Sequence, residues 1–212
     1  MENNEITKTA GWLERGSRLM SALFTPFLMP FIAFCLLFFC TYLRVLPMQF
    51  RLIVLGIVYS FTIFMPLLAI YLFHRINGKT IHELRHRQKR FVPYALTIVS
   101  YVACLLTMYK LHLPRYLSGI IVAALFCMIL CTLINFRWKI STHVAGGGMM
   151  VGGLLSYSFL FNFNPVWWLS FFILLSGTLG TARIIVRQHT LLEVLAGFVV
   201  GLFCGVAGIL FI

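Results

Sequence analysis

The chain has no aspartate. Its five acids are all glutamates: Glu2, Glu5, Glu14, Glu83 and Glu193. Between residue 84 and residue 212, Glu193 is the one carboxylate side chain. That half of the chain therefore offers neither a carboxylate pair sharing a proton nor an all-carboxylate metal cage. Charge of either sign is scarce: 10% of residues are charged, against about 25% in soluble domains. An ordinary soluble enzyme is excluded, and so is a disordered chain, which would lack apolar residues. Cys35, Cys40, Cys104, Cys127, Cys131 and Cys204 form no C-x-x-C pair and lie inside apolar runs. They read as buried small hydrophobes rather than a zinc site. No repeat of 20 to 50 residues is visible. The first apolar run is too long for a signal peptide and lacks a small-residue cleavage site.

What is present is apolar and basic: 61% hydrophobic residues and a net charge of +12 over 212 residues. Seven apolar runs approach the ~20 residues of a membrane-spanning helix: 19–43, 50–74, 92–109, 114–136, 142–161, 165–182 and 191–212. Unpaired backbone is not tolerated in lipid. The expectation is therefore an all-α polytopic membrane helical bundle built on these seven apolar runs, preceded by a polar N-terminal tail at 1–18. Pro93, Pro114 and Pro165 mark helix starts, where a missing N–H is harmless, while Pro26, Pro30 and Pro66 kink the runs that contain them. Trp138, Trp167 and Trp168 fall at run ends, as in an interfacial belt. Gly148 and Gly152, and Gly197, Gly201 and Gly205, recur at four-residue spacing. Such faces let helices approach closely, either within the chain or as a homodimer seam.

If every run spans, the polar stretches 75–91, 137–143 and 183–190 emerge on one membrane face together with the N-terminal tail. The opposite face keeps only Arg44, Arg51, Lys110 and Arg115 of the 17 Lys and Arg. The positive-inside rule would make the basic face cytoplasmic. It does not explain His143 and His189, each at the start of an apolar run on that same face. Basic residues in short loops between apolar runs do not form a nucleic-acid surface.

Glu193 follows His189 by one helical turn, so the two share a face. A carboxylate at a membrane helix start needs a partner, and the imidazole is within reach. The carboxylate would fix its tautomer and make it a better base or nucleophile. Ser141 precedes His143 at a helix start, where free N–H groups and the dipole favour an anion. Arg87 and Arg90 share a helix face, and Arg183 closes the sixth run. Guanidinium forks suit phosphate oxygens. Arginines, helix-start N–H groups and two histidines are the parts that phosphoryl transfer uses.

These residues resemble the type 2 phosphatidic acid phosphatase superfamily, the lipid phosphate phosphatases, whose motifs are K-x6-R-P, P-S-G-H and S-R-x5-H-x3-D. The third is matched by Ala182-Arg183-x5-His189-x3-Glu193, with Ala for Ser and Glu for Asp. The first two look like a bacterial variant subgroup with R-x2-R-x2-P and K-I-S-x-H-x2-G. Here these are Arg87, Arg90 and Pro93, and Lys139-Ile140-Ser141-Thr142-His143-Val144-Ala145-Gly146. The resemblance covers residues 60–205.

It implies an integral-membrane phosphatase with six core transmembrane helices, acting on a lipid phosphate monoester or pyrophosphate without metal or other cofactor. His189 would be the nucleophile, Glu193 its orienting acid, and His143 the proton donor to the leaving group. Arg87, Arg90, Lys139, Ser141, Thr142 and Arg183 would hold the phosphate. Expected substrates are phospholipid, polyprenyl or lipid A-type phosphates in the bilayer, with no nucleic acid. The family points to the bacterial inner membrane and a periplasmic site, whereas the charge bias points to a cytoplasmic one. Two other readings fit the same residues: a head-group phosphotransferase of the sphingolipid synthase type, and a non-enzymatic anion-binding membrane protein.

Overall fold

The computed structural model describes residues 2–77 and 91–210. The described residues are helical and contain no strand. α1 spans Glu2–Leu23, α2 Leu28–Cys40, α3 Met48–Tyr59, α4 Met65–Asn77, α5 Phe91–Lys110, α6 Arg115–Arg137, α7 Thr142–Phe161, α8 Val166–Ile185 and α9 Leu191–Leu210. One π turn, Ser60–Phe64, joins α3 to α4 just before Pro66. Pro66 cannot donate a ladder hydrogen bond, and the wider turn beside it fits that loss. Among the described residues, six helices are long and apolar enough to cross a membrane: Met48–Phe73, Val92–Lys110, Arg115–Arg137, Thr142–Phe161, Val166–Ile185 and Leu191–Leu210. The protein is an all-α polytopic bundle of integral-membrane type.

The run at 19–43 departs from its expectation of one spanning helix. Its first residues belong to α1, a break around Pro26 follows, and only the 13 residues Leu28–Cys40 continue as an apolar helix. α1 also takes in the polar tail. Trp12, Leu13 and Met20 face α8 across an open groove, whereas Glu14 and Arg18 pair on the exposed side at 2.5 Å. This is the pattern of an amphipathic helix lying on a larger body.

α2 is short but runs most of the length of α7. Near its start, Pro26 and Met29 lie against Gly146, in the first turns of α7. At its far end, Cys40 and Thr41 share a cavity with Tyr157, in the last turns of α7. The linker Thr25–Phe27 therefore sits at the end of the bundle where α7 begins.

α7 and α9 run parallel, backbone against backbone. A Cβ on Gly201 would overlap the carbonyl oxygen of Ala145, one on Gly205 that of Met149, and one on Gly152 that of Leu202. At the top of the seam, a Cβ on Gly197 would stand 2.6 Å from the carbonyl oxygen of Ser141. The glycine faces meet each other inside the chain, so they present no seam to a second copy. Their register sets the starts of α7 and α9 side by side.

The other punctuation follows local rules. Pro114 and Pro165 occupy the N-cap positions of α6 and α8, and Pro93 lies in the first turn of α5. Trp167, in the first turn of α8, is exposed, as an interfacial residue would be. Cys104, Cys127, Cys131 and Cys204 are buried and all six cysteines are free.

Candidate active site

Five chain segments meet at the end of the bundle where α7 and α9 begin. They enclose a cleft of about 270 Å³ lined by Thr142 and His143 of α7, Arg183 of α8 and His189. The opposite wall is Thr25–Phe27, Ile70 of α4, and Pro93 and Tyr94 of α5. The spacing of residues placed His143, Arg183 and His189 on one membrane face. The fold brings them onto one cavity.

His189 sits in the tight turn between α8 and α9. α8 closes with paired hydrogen bonds, Arg187 N–H to Ile184 O at 2.8 Å and Gln188 N–H to Arg183 O at 3.1 Å. This closure puts the residue after the helix cap in the left-handed region, and Arg187 occupies it with φ of 51°. The chain then reverses within a few residues and leaves His189 7% exposed.

The His189 ring donates through Nδ1 to Glu193 Oε2 at 2.8 Å. A carboxylate only accepts, so Nδ1 carries the proton and Nε2 keeps its lone pair. Burial lowers the His189 pKa from its ordinary 6.5 to about 4. The Glu193 hydrogen bond opposes that shift, while the positive charges of Arg183 and Lys139 reinforce it. At neutral pH the imidazole is uncharged.

Glu193 also belongs to the cap of α9. Thr190 N–H donates to Glu193 Oε2 at 3.3 Å, and Glu193 N–H donates to Thr190 Oγ1 at 3.4 Å. This is the reciprocal capping box. Its signature, Thr190-Leu191-Leu192-Glu193 ahead of an apolar run, is legible in the sequence but was not among the features singled out above.

Ser141 holds the N-cap position of α7, yet its side chain caps nothing. The hydroxyl is fully buried without a hydrogen-bond partner, while its backbone N–H donates to Glu193 O at 3.3 Å. That bond ties the start of α7 to the first turn of α9. Lys139, expected among the phosphate ligands, places its ammonium on the carbonyl oxygen of Gln188. It joins the α6–α7 linker to the turn that carries His189. Arg87 and Arg90 lie outside the described residues. In sequence they precede Pro93, which lines the cleft.

Three parts of the cleft have no counterpart in the motifs: Ile70, Thr25–Phe27 and Tyr94. Thr25–Phe27 reach it because α2 packs along α7, a tertiary contact that spacing does not encode. Tyr94 directly follows the last residue of the first motif, and that adjacency could have marked it. Among the described residues, no group of three or more His, Cys, Asp or Glu side chains converges in a way that could hold a metal ion.

The cleft presents an uncharged imidazole with a free Nε2, a second imidazole, a guanidinium and two helix starts whose dipoles point positive end first. This arrangement can bind an anion and offer it a nucleophile. Comparison of the chain with protein-family models, with curated proteins and with solved structures returns no match.

Proposed function

We propose that this chain is an integral-membrane phosphatase that hydrolyses a lipid phosphate monoester or pyrophosphate through a phosphohistidine, without a metal. The observation that carries the reading is the His189–Glu193 pair: a buried imidazole hydrogen-bonded through Nδ1 to a carboxylate, in a cleft that also holds His143 and Arg183. A merely structural histidine has no need of such company.

In the proposed reaction, His189 Nε2 attacks phosphorus and the bond from phosphorus to the lipid oxygen breaks. His143 gives its proton to that leaving oxygen. The phosphorylated imidazole is cationic, and Glu193 on Nδ1–H stabilises it. A water molecule then gives its proton to His143 and attacks phosphorus, the N–P bond breaks, and inorganic phosphate leaves. Arg183 and the N–H groups at the start of α7 hold the phosphate oxygens. Thr142, Arg87 and Arg90 join them, as does the unpartnered hydroxyl of Ser141. Lys139 adds positive charge beside the nucleophile from its seat on Gln188.

The test is phosphate release by purified protein, in the presence of EDTA, from a panel of lipid phosphates. The panel should include phosphatidylglycerol phosphate, undecaprenyl pyrophosphate, lipid A and a phosphorylated sphingolipid. Wild type is expected to release phosphate from at least one, and His189→Ala and His143→Ala to lose it while remaining folded. Equal release by His189→Ala would overturn the reading. A phosphodiester product in the presence of an alcohol would assign a phosphotransferase instead. The proposed location is the bacterial inner membrane. α9 begins at the site and ends on the other side, so a reporter fused after residue 212 labels the face opposite the cleft.

A further inference from the structure

We propose that Thr190 is a positioning residue for the nucleophile: its hydroxyl closes the cap that aims the Glu193 carboxylate at His189. The activity part of this inference rests on the phosphatase reading, and the spectroscopic part does not.

Glu193 stands in the first turn of α9, where a glutamate side chain has several staggered arrangements open to it. One of them points its carboxylate back over the helix start. The capping box selects that arrangement, because the Thr190 hydroxyl accepts the Glu193 N–H at 3.4 Å and the Thr190 N–H holds Glu193 Oε2 at 3.3 Å. The same Oε2 takes the His189 Nδ1–H at 2.8 Å. One oxygen thus serves both the helix cap and the imidazole.

The other neighbour of His189 is fixed as well. The Gln188 carbonyl holds the Lys139 ammonium, and the Gln188 N–H is bonded to Arg183 O. With both flanking residues anchored, the backbone on either side of His189 is held before any ligand arrives. Thr190 itself is exposed, so a purely structural role would be confined to helix capping.

Two substitutions separate capping from aiming. At an N-cap, Gly is nearly as stabilising as Thr, so Thr190→Gly removes the hydroxyl and leaves the helix almost as stable. Thr190→Ser keeps the hydroxyl. For Thr190→Gly the expected result is a kcat lowered about tenfold or more with KM little changed, the effect of losing a second contact on a catalytic group. Thr190→Ser should restore kcat to within about threefold of wild type.

The readout independent of activity is nitrogen NMR of ¹⁵N-histidine-labelled protein in detergent, with His189→Ala assigning the signal. Wild type and Thr190→Ser should show His189 protonated on Nδ1, and Thr190→Gly a mixture of both tautomers. A Thr190→Gly protein with wild-type kcat and an undiluted Nδ1–H tautomer would overturn the proposal. If wild type releases phosphate from nothing, the phosphatase reading fails and the tautomer measurement still decides the role of Thr190.

Discussion

His189 is held neutral by burial, and this sets how the protein should respond to pH. Its folded pKa of about 4 lies below the ordinary 6.5. Between those values the unfolded chain binds a proton at this residue and the folded chain does not. The stability contribution is therefore complete above pH 6.5 and is lost as pH falls through about 4. Turnover should follow the same direction, since attack needs the bare Nε2. The acid limb of kcat/KM, which reports loss of the bare nucleophile, should appear only as pH approaches 4, and an acid-limb midpoint near 6.5 would contradict the neutral-nucleophile reading. Glu193→Gln tests the partner. An amide can still accept from Nδ1–H but cannot balance the charge of a phosphoimidazole. The variant should fold, with an unchanged Tm, and lose about a hundredfold or more in kcat.

At the scale of elements, the seam between α7 and α9 carries the site. Its glycines are needed where they stand, because the atoms a Cβ would meet are backbone oxygens that cannot swing aside. Gly201→Ala should push the helices apart and separate Ser141 from Glu193. The expected cost is roughly 1 to 3 kcal/mol of stability or more, read as a lower Tm in detergent with loss of turnover. Gly177→Ala is the control, since nothing stands within 4 Å of its Cβ position; it should be neutral or slightly stabilising. Equal effects of the two substitutions would show that close approach is not what the seam glycines provide.

Much of this was visible in the amino-acid pattern. Four-residue glycine spacing gave the close faces, and one helical turn between His189 and Glu193 gave the dyad, because both depend on local periodicity. The seat of Lys139 on Gln188 and the arrival of Thr25–Phe27 at the cleft are not legible in the sequence, because both depend on which helices pack together. The break at Pro26 was read as a kink, since an apolar run does not reveal that its first residues prefer an amphipathic helix on α8.

At the scale of the whole molecule, the short α2 matters most. Thirteen residues of α-helix span about 20 Å, whereas a typical hydrocarbon core is about 30 Å thick. The linker Thr25–Phe27 that leads into α2 forms part of one wall of the cleft. The 20-residue neighbours of α2 are about half as long again, close to the full hydrocarbon thickness. Lipid beside α2 must thin, or the protein must tilt. In vesicles of graded acyl length, turnover should be highest in thin bilayers and fall as thickness grows, and a flat or rising profile would count against this mismatch. The short helix would then act as a dent in the membrane surface, lowering water and headgroups toward the imidazole. A lipid could deliver its phosphate without being lifted out of its leaflet.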